Sequence, residues 1–132
     1  MGRYYSFDAN VRLQKMEGGR ANDEELESQD VVASVFWEER QVQKVVNFIV
    51  DADGDPDMEY FHHKHPDLYH EMCEAAKLEY ADMMARFSPG EEFKIQSVEP
   101  TFPDEIYYAA ESLIAEKQSA EYNDVYADAG DL

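Results

Sequence analysis

The chain has 132 residues, of which 44% are hydrophobic and 13% aromatic, enough apolar material for the core of one domain but not of two. Its formal net charge is −19, from 30 Asp and Glu against 11 Lys and Arg, so its surface repels nucleic-acid phosphates and anionic membranes. The single cysteine, Cys73, excludes an intramolecular disulfide framework, and no apolar run is long enough to span a bilayer.

The first predicted element is a strand over residues 3–13, where apolar and polar residues alternate. One face of this strand carries Tyr5, Phe7, Ala9, Val11 and Leu13. Residues 14–29 follow, with a Gly18-Gly19 pair and many acidic side chains but little to bury. This composition predicts a mobile acidic loop.

A helix is predicted over residues 34–50, because Val42, Val45, Val46 and Ile49 recur at steps of three and four. Its beginning is ambiguous. Residues 30–37 are rich in valine, which favours pleated strands, so this stretch fits a short strand as well as the first turns of the helix.

The clearest periodic segment is a helix over residues 66–87, which Pro66 opens and Ser88-Pro89-Gly90 closes. Its apolar residues share one side, and four acidic residues cluster on the other. We number this helix α3 (residues 66–87) and call its four acidic residues the α3 ridge: Asp67, Glu71, Glu74 and Asp82.

The C-terminal part predicts a strand over 93–98, a helix over 103–118 and a flexible acidic tail over 121–132. Together the elements predict an α+β fold, a small sheet of two or more strands packed with three helices. Residues 1–120 would form one compact domain that carries the acidic loop at 14–29.

All four histidines fall within nine positions and lie close to Cys73. Imidazole and thiolate are good zinc ligands, so a metal site made by His62, His63, His65 and His70 is one hypothesis. Their spacing matches no established zinc motif, however. We expect no cofactor, with zinc as the alternative.

A second acidic group, which we call the acidic turn, follows the predicted helix 34–50. It consists of Asp51, Asp53, Asp55 and Asp57. Carboxylates at alternate positions resemble the start of a calcium-binding loop, but Pro56 stands where that loop needs glycine and His62 where it needs glutamate. An ordinary acidic turn is the better interpretation.

The sequence contains no nucleophile elbow, phosphate-binding glycine loop or dinucleotide motif, so we expect a protein that is not an enzyme. The distributed acidity favours a binding or inhibitor module for a basic partner that handles nucleic acid, with carboxylates imitating phosphates. The residues expected to bind that partner are those of the α3 ridge and the acidic turn. Exposed tyrosine or tryptophan would help, the candidates being Tyr4, Trp37, Tyr60, Tyr107, Tyr108 and Tyr122.

Size and charge, though no motif, are similar to those of phage-encoded proteins that block restriction or CRISPR machinery. We therefore expect a cytoplasmic protein, in a bacterium or an infected host cell, that binds neither nucleic acid nor membrane directly. The alternative is that the charge serves only solubility, as in salt-adapted proteins. Mimicry predicts charge concentrated on one face, whereas a solubility coat predicts an even spread.

Overall fold

The computed structural model describes the backbone of residues 1–17, 20–90 and 93–130, and the side chains of 1–14, 27–90 and 93–118. Within these residues the fold is α+β, as predicted, with a three-stranded antiparallel sheet and four helices. The elements in chain order are β1 (Arg3–Glu17), β2 (Arg20–Trp37), α1 (Glu39–Asp51), α2 (Met58–Lys64), α3 (Pro66–Phe87), β3 (Phe93–Pro100) and α4 (Asp104–Gly130).

A long hairpin of β1 and β2 replaces the acidic loop predicted over residues 14–29, so that prediction was wrong for the backbone. Pairing runs from Arg3 opposite Trp37 to Gln14 opposite Leu26, and resumes beyond a shift in register. Backbone hydrogen bonds hold an antiparallel pair together and need no apolar side chains, so the hairpin extends beyond the core. The Gly18-Gly19 pair lies outside the described residues.

The structure resolves the ambiguity over residues 30–37, which are strand, so the helix predicted over about 34–50 begins later than its approximate bound. Side chains alternate along β2 between a buried face and an exposed one, and Val31 to Trp37 contribute four to the core. Helix α1 begins only at Glu39, where the side chain of Gln41 accepts a hydrogen bond from the Glu38 backbone N–H at 2.9 Å. Burial of Val31 and Val35 on one face of the sheet stabilises a strand here, although their spacing of four residues also fits a helix.

The strand order is β2-β1-β3, so β1 is central, and one face of the sheet is buried while the other is open to solvent. The predicted apolar residues of β1 all lie in the core. Helix α3 has the predicted bounds and packs Leu68, Met72, Ala76 and Tyr80 inward. Apolar surface removed from water on this one face is the main stabilising contribution.

The two C-terminal elements are also longer than predicted, and one short helix was missed. Strand β3 continues to Pro100, and α4 continues past residue 118 through most of the segment 121–132 that we predicted as a tail. Residues 131–132 lie outside the description. Helix α2 was not predicted, because seven residues are too few to show a helical period. None of the described helices combines the length and apolar composition needed to cross a bilayer.

Candidate partner-binding surface

The α3 ridge exists as predicted, but it is interrupted. Asp67, Glu71, Glu74 and Asp82 are all exposed on one side of the helix. Leu78, which is 70% exposed, occupies the helical position between Glu74 and Asp82. The ridge is therefore two acidic patches separated by an apolar side chain.

Most carboxylates of the ridge already have partners within the chain. Glu71 accepts a hydrogen bond from the indole Nε1 of Trp37 at 2.7 Å. Glu74 lies 3.5 Å from Lys77 Nζ, and Asp82 lies 3.0 Å from an Arg86 guanidinium nitrogen. Among the described residues only Asp67 of the four forms no ion pair or side-chain hydrogen bond, so the ridge presents less unpaired charge than its sequence indicates.

The acidic turn is ordered by its backbone. Asp53 and Gly54 both have positive φ, at 54° and 83°, which Asp tolerates and Gly adopts freely. The Tyr107 hydroxyl donates to the Gly54 carbonyl at 2.7 Å, and Asp57 caps α2 by accepting from the Glu59 backbone N–H at 3.0 Å. These contacts hold the four aspartates in place while leaving them exposed.

No ion pair joins any aspartate of the acidic turn to a basic side chain within the described residues, in contrast to the ridge. Their charge therefore remains available to a partner. Three of them, Asp51, Asp55 and Asp57, line a depression of about 440 Å³. Tyr60 contributes a ring that is 55% exposed, and stacks on Phe48 with centroids 5.7 Å apart.

Two further depressions continue from this one around helix α2. The next, of about 600 Å³, shares Asp57 and Tyr60 with it, and the third, of about 550 Å³, shares Glu59 and His62 with the second. We call the three together the α2 groove. Its carboxylates are Asp51, Asp55 and Asp57 at one end, Glu59 in the middle, and Asp8, Asp30 and Glu99 at the other.

The groove thus collects carboxylates from the acidic turn, from α2 and from all three strands. Lys64, at the Tyr60 end, is the one lysine or arginine that lines it among the residues whose side chains are described. Like charges held in a concave surface reinforce one another, so the local potential is strongly negative. Such a surface attracts lysine and arginine side chains.

The histidines and Cys73 make separate contacts in the structure. No group of three or more His, Cys, Asp or Glu among the described residues is arranged to hold an ion. His62 stacks on Tyr69 with ring centroids 4.0 Å apart, His65 packs against Phe48 and Phe61, and burial raises the pKa of the half-buried Cys73 thiol. His63 and His70 are exposed.

Tyr69 closes the wall of the groove beside His62. Its hydroxyl donates to the Val98 carbonyl at 3.4 Å, and burial raises its pKa to about 12. It therefore stays protonated near neutral pH and remains a hydrogen-bond donor to β3. This contact fixes the position of α3 against the strand that carries Glu99.

The aromatic candidates divide between core and surface. Trp37 is fully buried, so it is not available to a partner, and Tyr107 is half-buried. Tyr4, Tyr60 and Tyr108 are exposed. The side chain of Tyr122 lies outside the description.

No protein-family model, curated protein or solved structure matches this chain. The surface itself therefore carries the functional argument.

The acidic turn was predicted as a binding candidate, but four other carboxylates of the groove were not: Asp8, Asp30, Glu59 and Glu99. They come from four different elements and meet only through the fold. One signal was available for Glu59, since Asp57 is a suitable cap for a helix that begins at Met58. The other three carried no sequence signal.

Proposed function

We propose that this protein is a binding module that captures a basic partner protein through the α2 groove, and that it acts by binding rather than by catalysis. The observation that carries the proposal is the contrast in charge within the groove, where seven carboxylates from five elements line three neighbouring depressions with a single lysine among the described side chains. A folded protein gains no stability from holding like charges together, so this arrangement favours an external cationic ligand.

The partner is proposed to be a protein that handles nucleic acid. Lysine and arginine that bind phosphates are spaced to meet a row of negative charges, and rigidly held carboxylates can occupy them instead. Occupation would block nucleic-acid binding and so inhibit or regulate the partner. A role in blocking host defence systems such as restriction or CRISPR is one form of this proposal, supported only by size and charge.

The test compares two variants with the same change in net charge. The groove variant carries Asp51→Asn and Asp55→Asn, and the control variant carries Glu79→Gln and Glu116→Gln on exposed positions of α3 and α4. Asp57 is left unchanged because it caps α2. Each variant is immobilised and incubated with nuclease-treated lysate, at low and high salt, with and without added duplex DNA.

We expect the native chain and the control variant to retain the same basic, nucleic-acid-binding protein, and added DNA to displace it. The groove variant should bind this partner about 5- to 30-fold more weakly, from roughly 0.5–1 kcal/mol for each lost charge contact. Equal losses in both variants would support the solubility interpretation instead. A retained ligand that is neutral or acidic would refute the proposal.

A further inference from the structure

The outer edge of strand β2 is open. Within the described residues β2 pairs with β1 alone, and apart from that pairing no backbone–backbone hydrogen bond is made by residues 31–37. Alternate N–H and C=O groups of residues 31–37 therefore have no partner in the described chain, whereas the Asp30 carbonyl before them accepts a hydrogen bond from the Gln29 side chain at 3.4 Å. Such an edge can accept another strand.

This edge also lacks the usual features that prevent strand pairing. Natural edge strands carry lysine, proline, inward-pointing charge or a bulge. Residues 31–37, by contrast, contain no charged residue, no proline and no glycine, and they pair with β1 in unbroken register. The one register shift along this pair lies beyond Gln14, at the far end of the hairpin.

Apolar side chains border the edge on the open face of the sheet. Val32 is 62% exposed and Phe36 is 54% exposed, and Phe36 packs edge-to-face against Tyr4 with ring centroids 5.2 Å apart. A strand added beside β2 would place alternate side chains next to Val32 and Phe36 and remove them from water. Backbone pairing and apolar contact would then act together.

Charge at the two ends of the edge selects the occupant. Asp30 and Glu38, both exposed, bracket the neutral residues 31–37. Asp30 accepts a hydrogen bond from the neutral Asn10 amide at 2.9 Å and so keeps its charge, whereas Glu38 lies 3.8 Å from the exposed Arg40 and is the weaker of the two. In an antiparallel pair of two copies centred on Ser34, Asp30 of each copy would face Glu38 of the other, and in-register parallel pairing would place each acid beside itself. Like charges opposite one another destabilise a sheet, and each copy also carries a net charge of −19.

We infer that the β2 edge binds an extended segment of a partner protein as a fourth strand, and that this segment has a neutral, β-branched centre flanked by lysine or arginine. Asp30 also lies at the strand end of the α2 groove, but residues 31–37 line none of its three depressions, so binding at this edge does not require the carboxylates of the acidic turn. Main-chain hydrogen bonds to β2 would supply the affinity for this segment, and its flanking positive charges would set its orientation and selectivity.

The test uses a capped peptide with a central Thr-Val-Thr-Val-Thr segment and two lysines at each end. One matched peptide has glutamates in place of the lysines, and another has N-methyl groups on alternate central amides, which removes backbone donors without changing charge. Affinity is measured by calorimetry, and amide hydrogen exchange is followed residue by residue in the native chain and in the Asp51→Asn/Asp55→Asn variant.

We expect the lysine-flanked peptide to bind at least 10-fold more tightly than either matched peptide, and to slow exchange within residues 31–37 in both forms of the protein. Val32→Lys, a substitution at an exposed position, should weaken this binding without changing the fold. Equal binding of the N-methylated peptide would overturn the inference. So would protection confined to residues 51–64, or self-association of the free protein that protects residues 31–37.

Discussion

The α3 ridge holds four carboxylates and the α2 groove seven, and the two surfaces differ in how many of these are paired with basic side chains. The ridge lies on one helix, and three of its four carboxylates are engaged by Trp37, Lys77 and Arg86. The groove draws its carboxylates from several elements and contains one lysine. Periodicity along one helix predicts a row of charges, but it does not show which of them remain free for a partner.

Truncation of Phe61, the buried aromatic residue of α2, should disrupt the groove and leave the ridge intact. Phe61 is fully buried, and its ring lies 5.1 Å from that of Phe48 and 5.0 Å from that of Phe102. Phe61→Ala should lower the free energy of unfolding by about 3–5 kcal/mol through lost burial and a cavity. Urea denaturation measures this loss, and amide exchange within α2 should accelerate more than within α3.

The matched control is Phe87→Ala at the end of α3, where the side chain is 78% exposed. A surface truncation of this kind should change stability by no more than about 0.5 kcal/mol. If both substitutions cost the same, α2 is not anchored by the aromatic cluster.

Truncation of Glu71 should show that the ridge has a structural role. The Trp37 indole N–H donates to Glu71, so Glu71→Ala leaves a buried donor without its acceptor and should cost about 1–3 kcal/mol of stability. Glu71→Gln retains an acceptor oxygen and should recover most of the loss. Reversal of charge at Glu71 is therefore a poor test of partner binding, because it disturbs the fold as well.

Glu74→Ala provides the comparison for Glu71, since it removes exposed contacts alone, with Lys77 at 3.5 Å and with His70 at 3.9 Å. Its effect on urea denaturation should stay below about 1 kcal/mol. A larger loss at Glu74 than at Glu71 would contradict the structural role of the Trp37 contact.

The smallest effect should be a pH dependence that His65 contributes at the junction of α2 and α3. Burial against Phe48 and Phe61 lowers its pKa below the ordinary 6.5, and Lys64 and Lys44 act in the same direction while Asp67 opposes them. The unfolded chain therefore binds a proton more readily than the folded one. This contribution to stability is complete above pH 6.5 and is lost as the pH falls towards the folded-state pKa.

His65→Phe keeps an aromatic ring at this position and cannot be protonated. Between pH 7.5 and 5.5, the stability of the native protein should fall relative to that of the variant. Urea denaturation at several pH values measures the free energy of unfolding of both proteins. Carboxylate titrations affect both equally and therefore cancel in the difference between them. A constant difference across this range would show that His65 is not desolvated.

How far the sequence predicted this molecule depends on whether the signal was local. The buried face of β1 and the bounds of α3 were predicted, because strict alternation and the Pro66 and Ser88-Pro89-Gly90 boundaries act within a few residues. The outer half of the hairpin was missed because it is held by backbone pairing, whereas its acidic composition is typical of a loop. Whether residues 121–132 are flexible, as predicted, stays a prediction.

The groove likewise combines residues with a local sequence signal and residues that only the fold brings together. The acidic turn is contiguous in sequence and was predicted as a binding candidate, but its grouping with Asp8, Asp30 and Glu99 depends on the strand order β2-β1-β3 and on the position of α2. The exposed aromatics could not be separated from buried ones by composition. Trp37 lies in the core although tryptophan is favoured at interfaces, because its position alternates with exposed Phe36 on β2.

The most direct test of the account compares the groove with the ridge at equal change in charge. The affinity of the captured basic partner is measured by calorimetry for Asp51→Asn/Asp55→Asn and for Glu74→Gln/Asp82→Asn, at the same salt concentration. The account predicts that the groove substitutions weaken binding about 5- to 30-fold and that the ridge substitutions weaken it less than about twofold. A ridge effect equal to or greater than the groove effect would contradict it.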